Sequence, residues 1–313
     1  MRSVGPGSSL RPLARHLRLP LRLADFANRG FALDRPVARR ILETHARAFL
    51  TGFNVVAGWR DPHRALAGIP DEERGFAYEG AGMRAALTDL ATGGHARAFE
   101  RLLAGPGQGY VHLVHVGYGW GLVPTRLPLP VLVPRTPLLR WLALDGAGFA
   151  EVYFGGVSAL RRRCARAATP RWEARLAGCG RALWFLTSAD VDKVAGLIGS
   201  VPLRARSPLW AGVGLAAVYA GCVDEMVIDR LVAVCGEDVP RLKQGALFAI
   251  AARCRSGIVP AHTELACRRL FSVSPGEAAS WTDTAAAELT GSRELAAYLE
   301  WKSRLRTAHV RLS

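Results

Sequence analysis

Two stretches decide how this chain folds: Tyr110–Leu122, Y-V-H-L-V-H-V-G-Y-G-W-G-L, and Leu138–Phe154, L-L-R-W-L-A-L-D-G-A-G-F-A-E-V-Y-F. Each carries glycine, any residue, glycine, then a large apolar side chain: Gly117-Tyr118-Gly119-Trp120 and Gly146-Ala147-Gly148-Phe149. The spacing recurs at Gly80/Gly82, Gly178/Gly180 and Gly212/Gly214, with a degenerate copy at Gly245 in Q-G-A-L-F-A. Successive copies stand roughly 29 to 37 residues apart, the period of a helical hairpin. Five of the six copies are followed by an apolar, alanine-rich run such as R-A-L-W-F-L or L-A-A-V-Y-A. Glycine costs about 1 kcal/mol relative to alanine inside a helix, so paired glycines imply a neighbouring helix lying close over bare backbone.

The expected fold class is therefore all-α: helical-hairpin repeats, tetratricopeptide-like or an α/α solenoid, with short irregular connectors. The segment Trp210–Gly221, W-A-G-V-G-L-A-A-V-Y-A-G, resembles the first helix of a tetratricopeptide hairpin. Leu242–Cys254, a turn at Ser256-Gly257 and Pro260–Phe271 complete one such pair. An open superhelix and a closed toroid both satisfy the pattern. Residues 1–25 read as a basic, partly disordered N-terminal segment, and 26–313 as a single helical-repeat domain with a C-terminal capping region after Ser274. Asp34 ahead of Arg35 and Pro36 reads as a helix N-cap, with an apolar stripe through Val37, Ile41, Leu42, His45 and Phe49. The prolines of Val123–Pro137 predict an extended connector.

Composition excludes several classes. Hydrophobic residues make up 50% of 313, enough for a large buried core, and the longest uncharged apolar run, Pro208–Val223, is too short and too glycine-broken to span a bilayer. The net charge is +15, yet only Lys193, Lys243 and Lys302 among the 41 basic residues are lysines. Such an arginine skew reflects a GC-rich genome, so no nucleic-acid partner is expected. Contact of the arginine- and leucine-rich segment Leu10–Leu23 with a membrane surface is the lesser alternative to its packing on the first helix. The six cysteines form no C-x-x-C pair and sit in apolar runs, as buried free thiols do, and a cytoplasmic setting is expected.

The residues that could carry chemistry cluster near the glycines. The position before the first glycine is Glu79 in one copy and Asp145 in another, where Val116, Ala177 and Ala211 stand elsewhere and Gln244 in the last. A carboxylate in an otherwise apolar helix has its pKa raised by burial and suits general acid or base work; the simpler reading pairs it with arginines such as Arg84 or Arg140. His112 and His115 share a face if their segment is helical and oppose each other if it is extended. Glu79, His115, Asp145 and His112 are the catalytic candidates. Tyr78, Tyr118, Trp120, Trp141, Tyr153 and Trp210 are the substrate-binding candidates, able to line a path for a long, flat, unsaturated ligand, with core filling as the competing reading. No metal and no cofactor is expected: a third ligand for the histidine pair is missing, as are a phosphate-binding loop, a dinucleotide fingerprint and a G-x-S-x-G nucleophile elbow.

Taken together, R-G-F-A-Y-E-G-A-G-M, H-V-G-Y-G-W, L-L-R-W-L-A-L-D-G-A-G-F, L-W-A-G-V-G-L-A-A-V-Y-A-G, Q-G-A-L-F-A and H-T-E-L-A-C-R resemble the bacterial domain of unknown function numbered 1702, from about Phe26 onward. The resemblance implies a bacterial secondary-metabolism setting beside genes for polyketides, enediynes among them, and it brings no reaction or catalytic residues. Two functions of different class stay open. One is a secondary-metabolism protein that binds a polyketide or polyene intermediate in a helical-repeat pocket and acts on it by acid–base catalysis, as in cyclisation, isomerisation or dehydration. The other is a non-catalytic adaptor that docks onto a polyketide synthase or tailoring enzyme.

Overall fold

The computed structural model describes residues 17–56, 61–125 and 134–308, and the chain there is helical, with no strand among the described residues. After a 3-10 turn, Leu21–Ala24, and a single helical turn, Phe26–Arg29, the helices are α1 Pro36–Val55, α2 Pro62–Ala67, α3 Asp71–Ala91, α4 Ala98–Leu103 and α5 Val111–Thr125. There follow α6 Leu142–Cys164, α7 Pro170–Leu186, α8 Val191–Gly199, α9 Leu203–Ala220, α10 Glu225–Cys235, α11 Val239–Ser256, α12 Ala261–Phe271, α13 Pro275–Ala286 and α14 Leu295–Ala308.

Local chemistry sets the helix starts. Thr169 accepts from the Trp172 N–H at 3.2 Å with Pro170 in the first turn of α7, Asp190 accepts from Asp192 and Lys193 N–H at α8, and Asp224 from Val227 N–H at α10. Asp71, Glu72 and Glu73 fill the first turn of α3, where the helix dipole favours negative charge. Gly156 breaks α6 with φ 60° and ψ −158°, a conformation open to glycine alone. Beyond that break Arg163 folds back to grip Glu151 with two bonds of 2.9 and 2.8 Å.

The glycine pairs have a common geometry. The long helices α1, α3, α5, α6, α7, α9 and α11 contact one another in that order. A Cβ added to Gly117, Gly146, Gly178, Gly212 or Gly245 would lie 1.8 Å from a carbonyl oxygen of the preceding helix, those of Glu79, Val116, Asp145, Ala177 and Ala211 in turn. The second glycine faces the helix ahead: a Cβ added to Gly82, Gly119, Gly148, Gly180 or Gly214 would lie 1.9 to 2.5 Å from the carbonyl oxygens of Val114, Ala143, Arg175, Leu209 and Leu242 in turn. Backbone thus meets backbone on both sides, and no other residue fits between. The last helix of the series also reaches back to the second. Arg253 of α11 donates to the Glu72 carbonyl of α3 at 3.0 Å and to the Tyr219 carbonyl of α9 at 2.5 Å.

Several expectations need correction. The residue preceding α1 is Arg35, without a side-chain cap, and Asp34 pairs instead with Lys193 of α8. Val37 and Ile41 are exposed, at 61% and 39%, so the buried stripe of α1 runs through Leu42, His45, Phe49 and Phe53. Of the basic N-terminal segment, residues 1–16 lie outside the described residues; Leu19 is bound to Asn54 of α1 through both backbone groups, at 2.9 and 2.8 Å. Most of the proline-rich connector, 126–133, likewise lies outside them, and α5 continues to Thr125 where the connector was expected to begin at Val123. All six cysteines are unpaired.

Candidate functional site

The glycine packing fixes what faces inward. Because each first glycine presses on its predecessor, the residue before it and the residue three after it turn to the interior. Glu79, Trp120, Phe149 and Arg181 meet at one cavity, and Val116, Asp145, Ala177, Ala211, Leu215 and Gln244 at a second, with Arg181 on the wall of both. Met83 is the flanking residue that lines neither.

Arg181 on α7 is the centre of the site. Its Nη1 donates to Asp145 Oδ1 at 2.5 Å and its Nη2 approaches the Glu79 carboxylate at 3.4 Å, while the guanidinium lies over the Phe149 ring at 4.9 Å. Trp120 Nε1 donates to Glu79 Oε1 at 2.9 Å. All five side chains are at least nine-tenths buried. Two carboxylates facing one guanidinium strengthen its hold on the proton despite burial. Burial dominates at Glu79 and raises its carboxyl above the ordinary range, with Arg181 and the Trp120 indole opposing that rise only in part.

The first cavity, about 40 Å³, is walled by Phe49, Phe76, Trp120, Phe149, Tyr153 and Phe185, with Glu79 and Arg181 at its base. Leu23, from the N-terminal 3-10 turn, and Phe154, 42% exposed, stand at its edge. The Tyr153 hydroxyl donates to the Leu23 carbonyl at 3.3 Å. The second cavity, about 50 Å³, is more polar, with His112, Asp145, Gln244, Tyr298 and Lys302 on its wall. Each has room for about three to four waters as it stands. His45 lines the first cavity and an outer groove, its Nδ1 against the Glu73 carboxylate at 2.8 Å and its Nε2 against the Ala220 carbonyl at 3.0 Å.

The candidates from sequence therefore divide. Glu79 and Asp145 come together, through Arg181, whereas Arg84 donates to the Leu17 carbonyl and Arg140 lies over the Trp141 ring. His112 reaches the second cavity, where burial pushes its imidazole down to about 3. His115, fully buried, faces away from both cavities. Its Nδ1 donates to the Val111 carbonyl at 2.7 Å, its Nε2 has no partner, and burial lowers it to about 4. Trp120 and Tyr153 line the aromatic cavity. Tyr78 instead stacks on Tyr110 at 4.1 Å and bonds His63, Tyr118 packs edge-on against Phe99, Trp141 donates to the Arg293 carbonyl, and Trp210 is buried in the core. Arg181, Lys302 and Tyr298 were not among the candidates. Arg181 carried a signal all the same: the third residue after the first glycine is Met83, Trp120, Phe149, Leu215 and Phe248 elsewhere, and a charge there is out of pattern. No group of three or more histidine, cysteine, aspartate or glutamate side chains able to hold a metal occurs among the described residues.

These features define an all-helical protein with a buried carboxylate–guanidinium cluster between two interior cavities, and no described helix is long and apolar enough to cross a membrane. The chain belongs to the family described as protein of unknown function (DUF1702), whose profile matches residues 10–309. No curated protein and no solved structure matches it.

Proposed function

We propose that this protein binds an elongated, apolar, unsaturated small molecule of the polyketide or polyene class in its aromatic cavity, and that Glu79 exchanges a proton with it. One observation carries the reading: a carboxyl and a guanidinium stand at the base of a cavity otherwise walled largely by aromatic rings. A conjugated chain stacks on such rings. The raised Glu79 carboxyl then delivers a proton to a polarised double bond or carbonyl, and Arg181 with the Trp120 N–H stabilises the carboxylate left behind. Cyclisation, isomerisation and dehydration all begin with such a step. The cavity must widen for a ligand, and Leu23 and the partly exposed Phe154, both on its wall, are the side chains that would move. The reading takes the helix series as a closed toroid of hairpins, supported by the order of helix contacts and by the Arg253–Glu72 bond that ties its last helix, α11, back to α3.

A second reading, a non-catalytic adaptor docking onto a polyketide synthase or tailoring enzyme, is favoured by the small size of the cavity and by the ties that Arg181 already makes to both carboxylates. Titration with a conjugated tetraenoic fatty acid, followed by energy transfer from tryptophan, separates the two. Saturable binding that Ala46→Trp weakens by at least about tenfold, some 1.4 kcal/mol, and that Glu79→Gln leaves intact is expected. Absence of saturable binding in the wild-type protein, together with its co-purification with a synthase, would establish the adaptor instead.

A further inference from the structure

Lys302 is a buried basic side chain that the proton-exchange reading does not use. It lies on α14, 2% exposed, and its Nζ has no hydrogen-bond partner. The Tyr298 ring centre is 5.6 Å away. Lys302 lines the second cavity with Asp145, Arg181, Gln244, Tyr298 and His112, and two more buried atoms there, Gln244 Oε1 and Arg181 Nε, are also without partners. An ammonium ion held from water without an acceptor costs several kcal/mol, so such a site favours the neutral amine.

The charges around it do not reverse that preference. Glu173 of α7 and Asp145 of α6 favour the ammonium, whereas Arg241 of α11 and Arg306 of α14 oppose it. Glu173 is already bonded to Arg241 at 2.7 Å, and Asp145 to Arg181 at 2.5 Å. Burial wins, and the amine is lowered to about 8. The chain's other lysines differ. Lys193 is exposed and paired with Asp34 and Asp190, and Lys243 lies over the Phe271 ring.

We propose that Lys302 is a nucleophilic lysine that captures an aldehyde or ketone as a Schiff base within this cavity. A desolvated amine beside hydrogen-bonding groups is the arrangement that imine chemistry requires. The nitrogen lone pair attacks the carbonyl carbon, forming a C–N bond as the C=O π pair moves to oxygen. A proton passes from nitrogen to that oxygen to give the carbinolamine. Loss of the hydroxyl with a further proton as one water leaves the C=N bond, with no oxidant or reductant consumed. Tyr298 is on the cavity wall to relay these protons, and the unpartnered Gln244 oxygen is placed to accept from the carbinolamine. At about 50 Å³ the cavity admits a carbonyl compound of a few heavy atoms, or the carbonyl end of a longer one. The inference is independent of polyene binding in the aromatic cavity.

The three lysines provide an internal competition. Native protein is treated with propanal and sodium cyanoborohydride at about pH 7.5, and the adducts are mapped by peptide mass spectrometry. The free-amine fractions of Lys302 and of an ordinary lysine there differ by about two orders of magnitude, so the adduct on Lys302 should form at least about tenfold faster than on Lys193; Lys243, whose amine burial also lowers, should fall between them. Denatured protein should label all three alike, and Lys302→Met should lose the fast adduct while keeping the slow ones. The idea is overturned if Lys193 labels first and Lys302 stays unmodified until the protein is denatured, the result expected of a lysine solvated by one buried water. Because the wild-type competition decides the matter, failure of the methionine variant to fold leaves the test intact.

Discussion

Replacing Gly178 by alanine tests the packing on which the interior depends. A Cβ at that position would sit 1.8 Å from the Asp145 carbonyl oxygen and 2.7 Å from both its carbon and the Phe149 nitrogen, all backbone atoms that cannot rotate away. Ordinary van der Waals contact begins near 3.4 Å, so α6 and α7 must separate by roughly 1.5 Å, and a gap of even 0.5–1 Å forfeits about a quarter to a half of each contact's attraction. Overpacking of this kind costs about 1–3 kcal/mol or more, against which alanine's helix preference returns at most about 1 kcal/mol. A net destabilisation of about 2 kcal/mol is expected, seen as a fall of roughly 4 °C in Tm for a chain of this size. Gly196 on α8 is the control, since nothing lies within 4 Å of its would-be Cβ. There the same change should stabilise by up to about 1 kcal/mol. Both variants are read by circular dichroism during urea and thermal unfolding. If Gly178→Ala unfolds at or above the wild-type midpoint, the argument that these glycines exist for backbone contact is wrong.

Two further outcomes follow from the buried charges. Arg181→Met leaves Glu79 and Asp145 buried without their cation and should cost about 3–5 kcal/mol in urea unfolding, most of it recovered when Glu79→Gln and Asp145→Asn are added; a single variant within about 0.5 kcal/mol of wild type would refute the pairing. His115, held neutral down to about 4, binds no proton in the folded state while the unfolded chain takes one up below about 6.5. Stability should therefore be fully present above pH 6.5 and fall by up to about 3 kcal/mol as pH drops to 4, and His115→Gln should flatten that slope in unfolding midpoints measured across the range.

Much of the fold was legible because it is written in short-range terms. Thr169, Asp190, Asp224 and Ser274 each accept from a first-turn N–H of their own helix, a purely local term, although none is singled out as a cap from the sequence. Gly-x-Gly at helical-hairpin spacing announced close helix contact, because bare backbone inside a helix needs a compensating neighbour. The start of α1 misled for the complementary reason. Asp34 is chemically a good cap, but Lys193, more than 150 residues away, gains more from it, and no local pattern records that competition. The aromatic residues misled likewise. Tyr78 and Trp120 both lie within two residues of a glycine, yet one faces α2 and α4 and the other the interior, a choice of helix face set by packing on both sides at once.

The same register explains why two equivalent carboxylates end up chemically unequal. Glu79 and Asp145 each precede a first glycine, on α3 and α6, and the helix between them, α5, fills that place with Val116. The cation comes from α7, which adjoins α6 and not α3. Arg181 accordingly reaches Asp145 at 2.5 Å and Glu79 only at 3.4 Å, so Asp145 has a short charge-assisted bond while Glu79 relies on a longer contact and a neutral indole donor. At Glu79 burial outweighs the longer Arg181 contact and the indole bond, and the carboxyl is raised. Glu79 is also the one of the pair that faces the aromatic cavity. On the proposed reading Glu79 is therefore the group that exchanges the proton, and Asp145 holds the guanidinium in place.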